Sequence, residues 1–172
     1  MLLDQFKTVR LFVFDMDGVL TDGTILVMED GNHLRRMNVK DGYALQLAVK
    51  QGYDVMVISG SDAPSVVGRM KKLGIADVHI KVLDKLGHLK SYLEQKDYTA
   101  AEVLYMGDDL PDLEVMQFAG LSCCPADAVP EVKAVANYIS PFKGGDACVR
   151  DVIEKVLKQN RHWYHLQDVA SR

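Results

Sequence analysis

The sequence predicts an α/β protein, a three-layer sandwich around a mostly parallel sheet. Three observations carry that expectation. Short apolar runs alternate with longer helical patterns along the 172 residues. Several runs are apolar at nearly every position, as in strands covered on both faces. Acidic and small polar residues follow these runs repeatedly, at the carboxyl ends of strands where open α/β sheets gather their sites.

The first strand is expected over 11–14, "LFVF", just before Asp15. Residues 24–38 then break the alternation. Two short strand-like runs flank "EDGN", with Asp30 and Gly31 at the turn, a β-hairpin signal. A helix is expected over Asp41–Gln51, stopped by Gly52, and a strand over 54–59. The next helix, Asp62–Leu73, takes Asp62 as N-cap and Pro64 in its first turn. A short strand over 77–80 precedes a helix over Asp84–Lys96, with Leu86, Leu89 and Leu93 at helical spacing. Strands over 102–107 and 120–124 enclose a short helix, Leu110–Phe118. An edge strand over 136–140 is followed by a last helix, Asp146–Gln159, with Val149, Ile153, Val156 and Leu157 on one face. Residues 1–160 thus read as a single domain that includes the hairpin. Residues 161–172 form a polar and aromatic tail that packs on the body, packs on a neighbour, or frays.

Composition narrows the function. With 48% hydrophobic and 26% charged residues the chain is globular. A net charge of −4 gives no support to nucleic-acid or anionic-membrane binding, although a small site can still be locally positive. No apolar stretch approaches the ~20 residues of a membrane span, and the N-terminus does not read as a signal peptide. Cys123, Cys124 and Cys148 are odd in number and lack framework spacing, which suits reduced thiols in the cytoplasm. No second cysteine pair accompanies Cys123 and Cys124 to make a zinc site.

The chemistry lies in "VFDMDGVLTDG", in two later strand ends and at one helix start. A carboxylate such as Asp15 at a strand end is a metal ligand, a nucleophile or both; singly it is also an ordinary turn cap. Magnesium takes hard oxygen ligands, and Asp15, Asp108 and a backbone carbonyl near Asp17 make such a set. Two residues beyond Asp15, Asp17 lies on the same side of an extended segment, where it can serve as general acid and then base. In "SGSDAP", the Ser59 hydroxyl can donate to a phosphoryl oxygen. The Gly60 and Ser61 amides can add to a cradle near the helix start. Lys85, in a first helical turn, is unfavourable with the helix dipole unless its ammonium reaches an anionic site. In "GDDLPD", Asp109 completes a metal shell through water or orients Lys85. Asp112 supports Lys85 or caps the helix. Asp22 stabilises the turn into the hairpin.

Together these motifs resemble the haloacid dehalogenase superfamily, in order and in spacing: "FDMDGVLTDG", "ISG", Lys85 and "MGDDLPD". The resemblance implies a Rossmann-like sheet, Asp15 as nucleophile, Asp17 as acid and base, Ser59 on phosphate and Lys85 as charge support. It also implies magnesium on Asp15, Asp108 and the Asp17 carbonyl. Nearly the whole chain, including "NVKDG", "SGSDAPSVVGRMKKLGI" and "DKLGHL", is similar to the 3-deoxy-D-manno-octulosonate 8-phosphate phosphatases of lipopolysaccharide biosynthesis. That family has a short hairpin in place of a large cap. It forms homotetramers in which the hairpin covers a neighbouring active site, and here residues 24–38 match the hairpin. Arg35, Arg36 and Lys40 are then candidates for positive charge near a sugar acid, within the chain or from a neighbour.

Two positions depart from the family pattern. Ser61 stands where arginine often follows "SG", and "GGDACVRD" replaces "GGRGAVRE", which puts Asp146 at a usually basic position. The departures leave the phosphatase machinery intact. They extend the candidate substrates to the 9-phosphates of nine-carbon, sialic-acid-like sugars. A mutase reading lacks the substantial cap it would need. A non-catalytic domain of the same fold would be expected to lose Asp15 or Asp17, and both are present.

Overall fold

The computed structural model describes residues 2–169. In chain order the elements are α1 (Leu2–Thr8), β1 (Leu11–Phe14), β2 (Leu26–Val27), β3 (His33–Leu34), α2 (Val39–Lys50), β4 (Asp54–Ile58), α3 (Pro64–Lys72) and β5 (Asp77–His79). They continue with α4 (Lys85–Lys96), β6 (Val103–Met106), α5 (Leu113–Phe118), β7 (Leu121–Cys124), α6 (Pro130–Val135), β8 (Tyr138–Ile139) and α7 (Cys148–Gln159). Six strands form one parallel sheet in the order β5-β4-β1-β6-β7-β8.

The expected three layers follow from the strand period of two. Phe12 and Phe14 of β1, with Val55, Val57, Leu104 and Met106, face the layer made by α1, α2, α3 and α7. Leu11 and Val13, with Met56, Ile58, Val103 and Tyr105, face the layer of α4, α5 and α6. Every residue of β1 is therefore buried, which explains its unbroken apolar run. The order also puts β4 and β6 on either side of β1, so three strands end beside one another.

Several boundaries differ from the sequence expectation. Helix α2 begins at Val39, capped by Asn38, whose side chain accepts the Lys40 N–H at 2.8 Å. Asp41 thereby falls inside the first turn. Asp62 is not an N-cap: Ala63 precedes Pro64, and Asp62 pairs with Lys81 at 2.7 Å. Residues 110–118 divide into one 3₁₀ turn, Leu110–Asp112, and α5. Helix α7 starts at Cys148, two residues past Asp146. Helices α1 and α6 were not anticipated. Each is about two turns long and buries a single apolar residue, Phe6 or Val132, too little for a helical period to register.

The hairpin segment pairs antiparallel, Leu26 with Leu34 and Val27 with His33, around Gly31 at φ +82°. Ile25, Leu26, Val27 and Leu34 are exposed. The described part of the tail lies on the body. Tyr43 and Tyr53 hydroxyls bond His165 and His162 at 2.9 and 3.0 Å, and Lys50 pairs with Asp168 at 2.7 Å. Residues 170–172 of the tail lie outside the described part. Among the described residues, no helix is long and apolar enough to cross a membrane.

Candidate active site

The site forms where β1, β4 and β6 end. The Asp15 N–H still donates to the Met106 carbonyl at 2.9 Å, which carries the ladder one residue past β1 and aims Asp15 out of the sheet edge. The chain must then reverse. Gly18 supplies the reversal at φ +87°, a conformation costly for any side chain, and Thr21 N–H closes the loop onto the Met16 carbonyl at 3.0 Å. Asp15, Asp17, Ser59, Gly60, Lys85 and Asp108 together line a cavity of about 500 Å³.

Lys85 reaches this cavity from the start of α4. Its ammonium donates to Asp15 Oδ1 and to Asp112 Oδ1, each at 2.7 Å, with 7% of the side chain exposed. Burial opposes its charge, but Asp15 and Asp112 outweigh burial and raise its pKa. Asp112 supports Lys85 as expected, but at the start of α5 its side chain makes no cap, closing instead the capping box of the 3₁₀ turn before it. Beyond Lys85 it accepts the Tyr105 hydroxyl at 2.6 Å and the backbone N–H groups of Asp108 and Asp109 at 3.1 and 3.4 Å. Asp109 caps the 3₁₀ turn, accepting the Leu110 N–H at 2.8 Å, and lines the same cavity.

Asp108 is the unpaired carboxylate of the site. Its Oδ1 is buried without a hydrogen-bond partner. Burial, then repulsion from Asp15, Asp112 and Asp109, pushes its pKa up to about 8. Burial and Asp112 raise Asp15 as well, against the pull of Lys85. A side chain at Gly18 would run into the Asp108 carboxylate, so that group packs against Gly18. Carboxylate oxygens of Asp15, Asp108 and Asp112 all come within 4.8 Å of one another. This oxygen-only, electron-rich set fits a hard divalent cation. The Asp112 oxygens are already committed to four donors, so Asp15 and Asp108 are the carboxylates available to such an ion.

Asp17 is held differently. Arg35 donates Nε–H to its Oδ1 at 2.7 Å and Nη2–H to its Oδ2 at 3.2 Å. The Ser61 hydroxyl donates to Oδ2 at 2.7 Å. Burial would raise the Asp17 pKa, but Arg35 and Ser61 hold it below the usual carboxylate value. Ser59 is buried, and its Oγ accepts the Ser61 N–H at 3.1 Å, which leaves its own hydroxyl hydrogen to donate.

The two other basic candidates lie outside this cavity. Arg36 pairs with Asp22 at 2.8 Å on the surface, and with Lys40 it lines a neighbouring groove near Asp146. Asp22 also accepts the Thr24 N–H and hydroxyl at 3.1 and 2.6 Å, the turn role expected of it. Tyr105 was missed by sequence reasoning. It sits inside an apolar strand, where a tyrosine reads as core, and only its hydroxyl betrays a polar partner.

A family model for haloacid dehalogenase-like hydrolases matches residues 70–151. The chain is 36% identical over 155 residues to the 3-deoxy-D-manno-octulosonate 8-phosphate phosphatase of Salmonella typhi, covering 90% of this chain and 82% of that one. The fold superposes on the same phosphatase from Yersinia pestis with a TM-score of 0.91 at 34% identity, covering 94% of this chain and 87% of that one. It superposes on the Moraxella catarrhalis phosphatase with a TM-score of 0.89 at 32% identity, covering 92% and 91% of the two chains. The Moraxella structure is a complex with magnesium, phosphate and KDO.

Proposed function

The chain belongs to the 3-deoxy-D-manno-octulosonate 8-phosphate phosphatase family of haloacid dehalogenase-like hydrolases, and from that premise we propose that it hydrolyses this sugar-acid phosphate to the free sugar acid and phosphate. One observation carries the reading: Asp15 and Asp17 share a cavity in which Lys85 pairs with Asp15 while Asp108 is buried without a partner.

Asp15 is the nucleophile. Lys85 engages its Oδ1, so Oδ2 attacks phosphorus as the ester P–O bond breaks. The leaving oxygen takes a proton from Asp17. Asp17 then removes a proton from water, which attacks the phosphoryl-aspartate, releases phosphate and restores Asp15. Ser59 donates its hydroxyl to a phosphoryl oxygen, and the Gly60 backbone lines the same pocket. Asp15, Asp108 and the Asp17 carbonyl would hold magnesium, which when bound would supply positive charge to the phosphoryl group. Lys85 offsets charge at Asp15 Oδ1.

A homotetramer in which the hairpin covers a neighbouring site fits the exposed apolar side chains of Leu26, Val27 and Leu34. Arg36 and Lys40 then bind the sugar acid of the same or an adjacent chain. A reducing cytoplasmic location fits three buried free cysteines. Ser61 and Asp146 keep nine-carbon sugar-acid 9-phosphates as the second substrate reading.

The test is magnesium-dependent phosphate release from eight- and nine-carbon sugar-acid phosphates beside hexose phosphates. Preference for the eight-carbon compound is expected. Equal rates on all of them overturn the assignment. Light scattering that shows only monomers overturns the shared hairpin.

A further inference from the structure

Arg35 is an unusual neighbour for a proton-transferring group. Asp17 has four lone-pair sites, and all four face donors: Arg35 Nε at 2.7 Å, Arg35 Nη2 at 3.2 Å, Ser61 Oγ at 2.7 Å and Thr21 Oγ1 at 3.4 Å. In that arrangement every lone pair of Asp17 already faces a donor, although 27% of its side chain stays exposed beside the cavity. The two hydroxyls rotate and release readily. The guanidinium fork does not, because its two contacts are made together and only 4% of its side chain is exposed.

The source of the arginine is as telling as its contact. Arg35 directly follows β3, so it belongs to the hairpin and not to the sheet that carries Asp15, Ser59 and Asp108. It reaches Asp17 from a separate groove of about 450 Å³ beside the hairpin, lined by Thr24, Leu26, Leu34 and Arg36. The neighbouring arginine, Arg36, is satisfied by Asp22. Of the two, only Arg35 joins the hairpin groove to the reacting cavity.

We propose that Arg35 is a substrate-operated latch: it masks Asp17 until a carboxylate on the substrate takes its guanidinium, which frees Asp17 to act. The proposal rests on the phosphatase reading above and adds to it the residue that senses the acid group. A planar guanidinium fits one carboxylate as well as another, so the exchange keeps a bidentate pair throughout. A phosphate ester with no acid group offers nothing in return and leaves Asp17 masked. Arg35 would thus select for acidic phosphomonoesters through turnover as well as binding.

The test uses two small esters that differ in one carboxylate, 3-phosphoglycerate and glycerol 3-phosphate, with the full-length protein and magnesium. For the wild type, kcat on 3-phosphoglycerate is expected to exceed kcat on glycerol 3-phosphate. In Arg35→Gln, kcat/KM for 3-phosphoglycerate is expected to fall roughly 10- to 100-fold, the value of a charge-assisted pair. The kcat for glycerol 3-phosphate should rise, because Asp17 is no longer masked. Arg35→Lys, cationic but unforked, should fall between. Equal losses on both esters, or an unchanged ratio, overturn the latch while the phosphatase reading stands. Failure of the wild type to hydrolyse the sugar-acid phosphate and both esters overturns the two together.

Discussion

Lys85 donates to Asp112 at 2.7 Å, and that carboxylate is simultaneously bound by Tyr105 and by two backbone N–H groups from the loop after β6. Asp112 is thus the fixed post against which the ammonium is set, 2.7 Å from Asp15 on its other side. The position at the start of α4 is otherwise poor for a cation, since the helix dipole is positive there.

Removal of that cation should therefore harm folding as well as turnover. Lys85→Met leaves Asp15 and Asp112 buried without a counter-charge, a situation that costs about 3–5 kcal/mol. Urea unfolding of the metal-free protein measures it. A loss below about 1 kcal/mol would show that the site relaxes around the missing ammonium.

Replacement of Asp15, the proposed nucleophile, should separate activity from stability. In Asp15→Asn the amide oxygen still accepts from Lys85, so the melting temperature is expected to stay within a few degrees. Phosphate release should drop by at least ~10³-fold, because an amide does not form the acyl phosphate. Retained metal-dependent turnover would exclude Asp15 as the attacking group.

The pKa of Asp108 near 8 marks a site that resists its own charge. The folded value lies above the unfolded one, so this group's contribution to stability is complete below about pH 4 and is lost as pH rises through about 8. Asp108→Asn should raise the melting temperature of the metal-free protein at pH 8 and leave it little changed at pH 4. Magnesium should raise the melting temperature of the wild type and fail to do so in the variant. A variant that still responds to magnesium would place the ion elsewhere.

Asp41 offers a second pH dependence far from this chemistry. It is 2% exposed, its Oδ1 accepts the Arg150 N–H at 2.6 Å, and its Oδ2 has no partner. A side chain of α2 thereby caps α7, whose own preceding residue, Ala147, has none to offer. Burial pushes Asp41 up to about 6, partly offset by the Arg150 and Ala147 backbone. Its protonated form is favoured in the fold, so the associated stability is present below about pH 4 and lost as pH rises through 6. The loss is on the order of 3 kcal/mol. Asp41→Asn keeps the acceptor and removes the charge. Its advantage over the wild type should grow from pH 4 to 6 and then level off. A difference that does not change with pH would dismiss the buried carboxylate as its cause.

Much of the molecule was legible before any coordinates. The parallel sheet follows from runs such as those of β1, β6 and β7, buried on both faces, whereas the edge strands β5 and β8 are only partly buried. The cavity follows from topology, since parallel strands all end on one side and their next residues must meet. Asp15, Asp17, Ser59, Lys85 and Asp108 could therefore be grouped from their positions after strands or at a helix start, together with motif spacing. What spacing does not carry is the choice of partner. Asp17 pairs with Arg35, not with Arg36 one residue on, and Asp41 caps a helix that begins more than a hundred residues later. Asp112 serves Lys85 and the loop backbone together. Such contacts depend on distances of a few ångströms between segments remote in the chain. Strand and helix periods fix which face a residue takes, but the packed fold alone sets which charge stands opposite it.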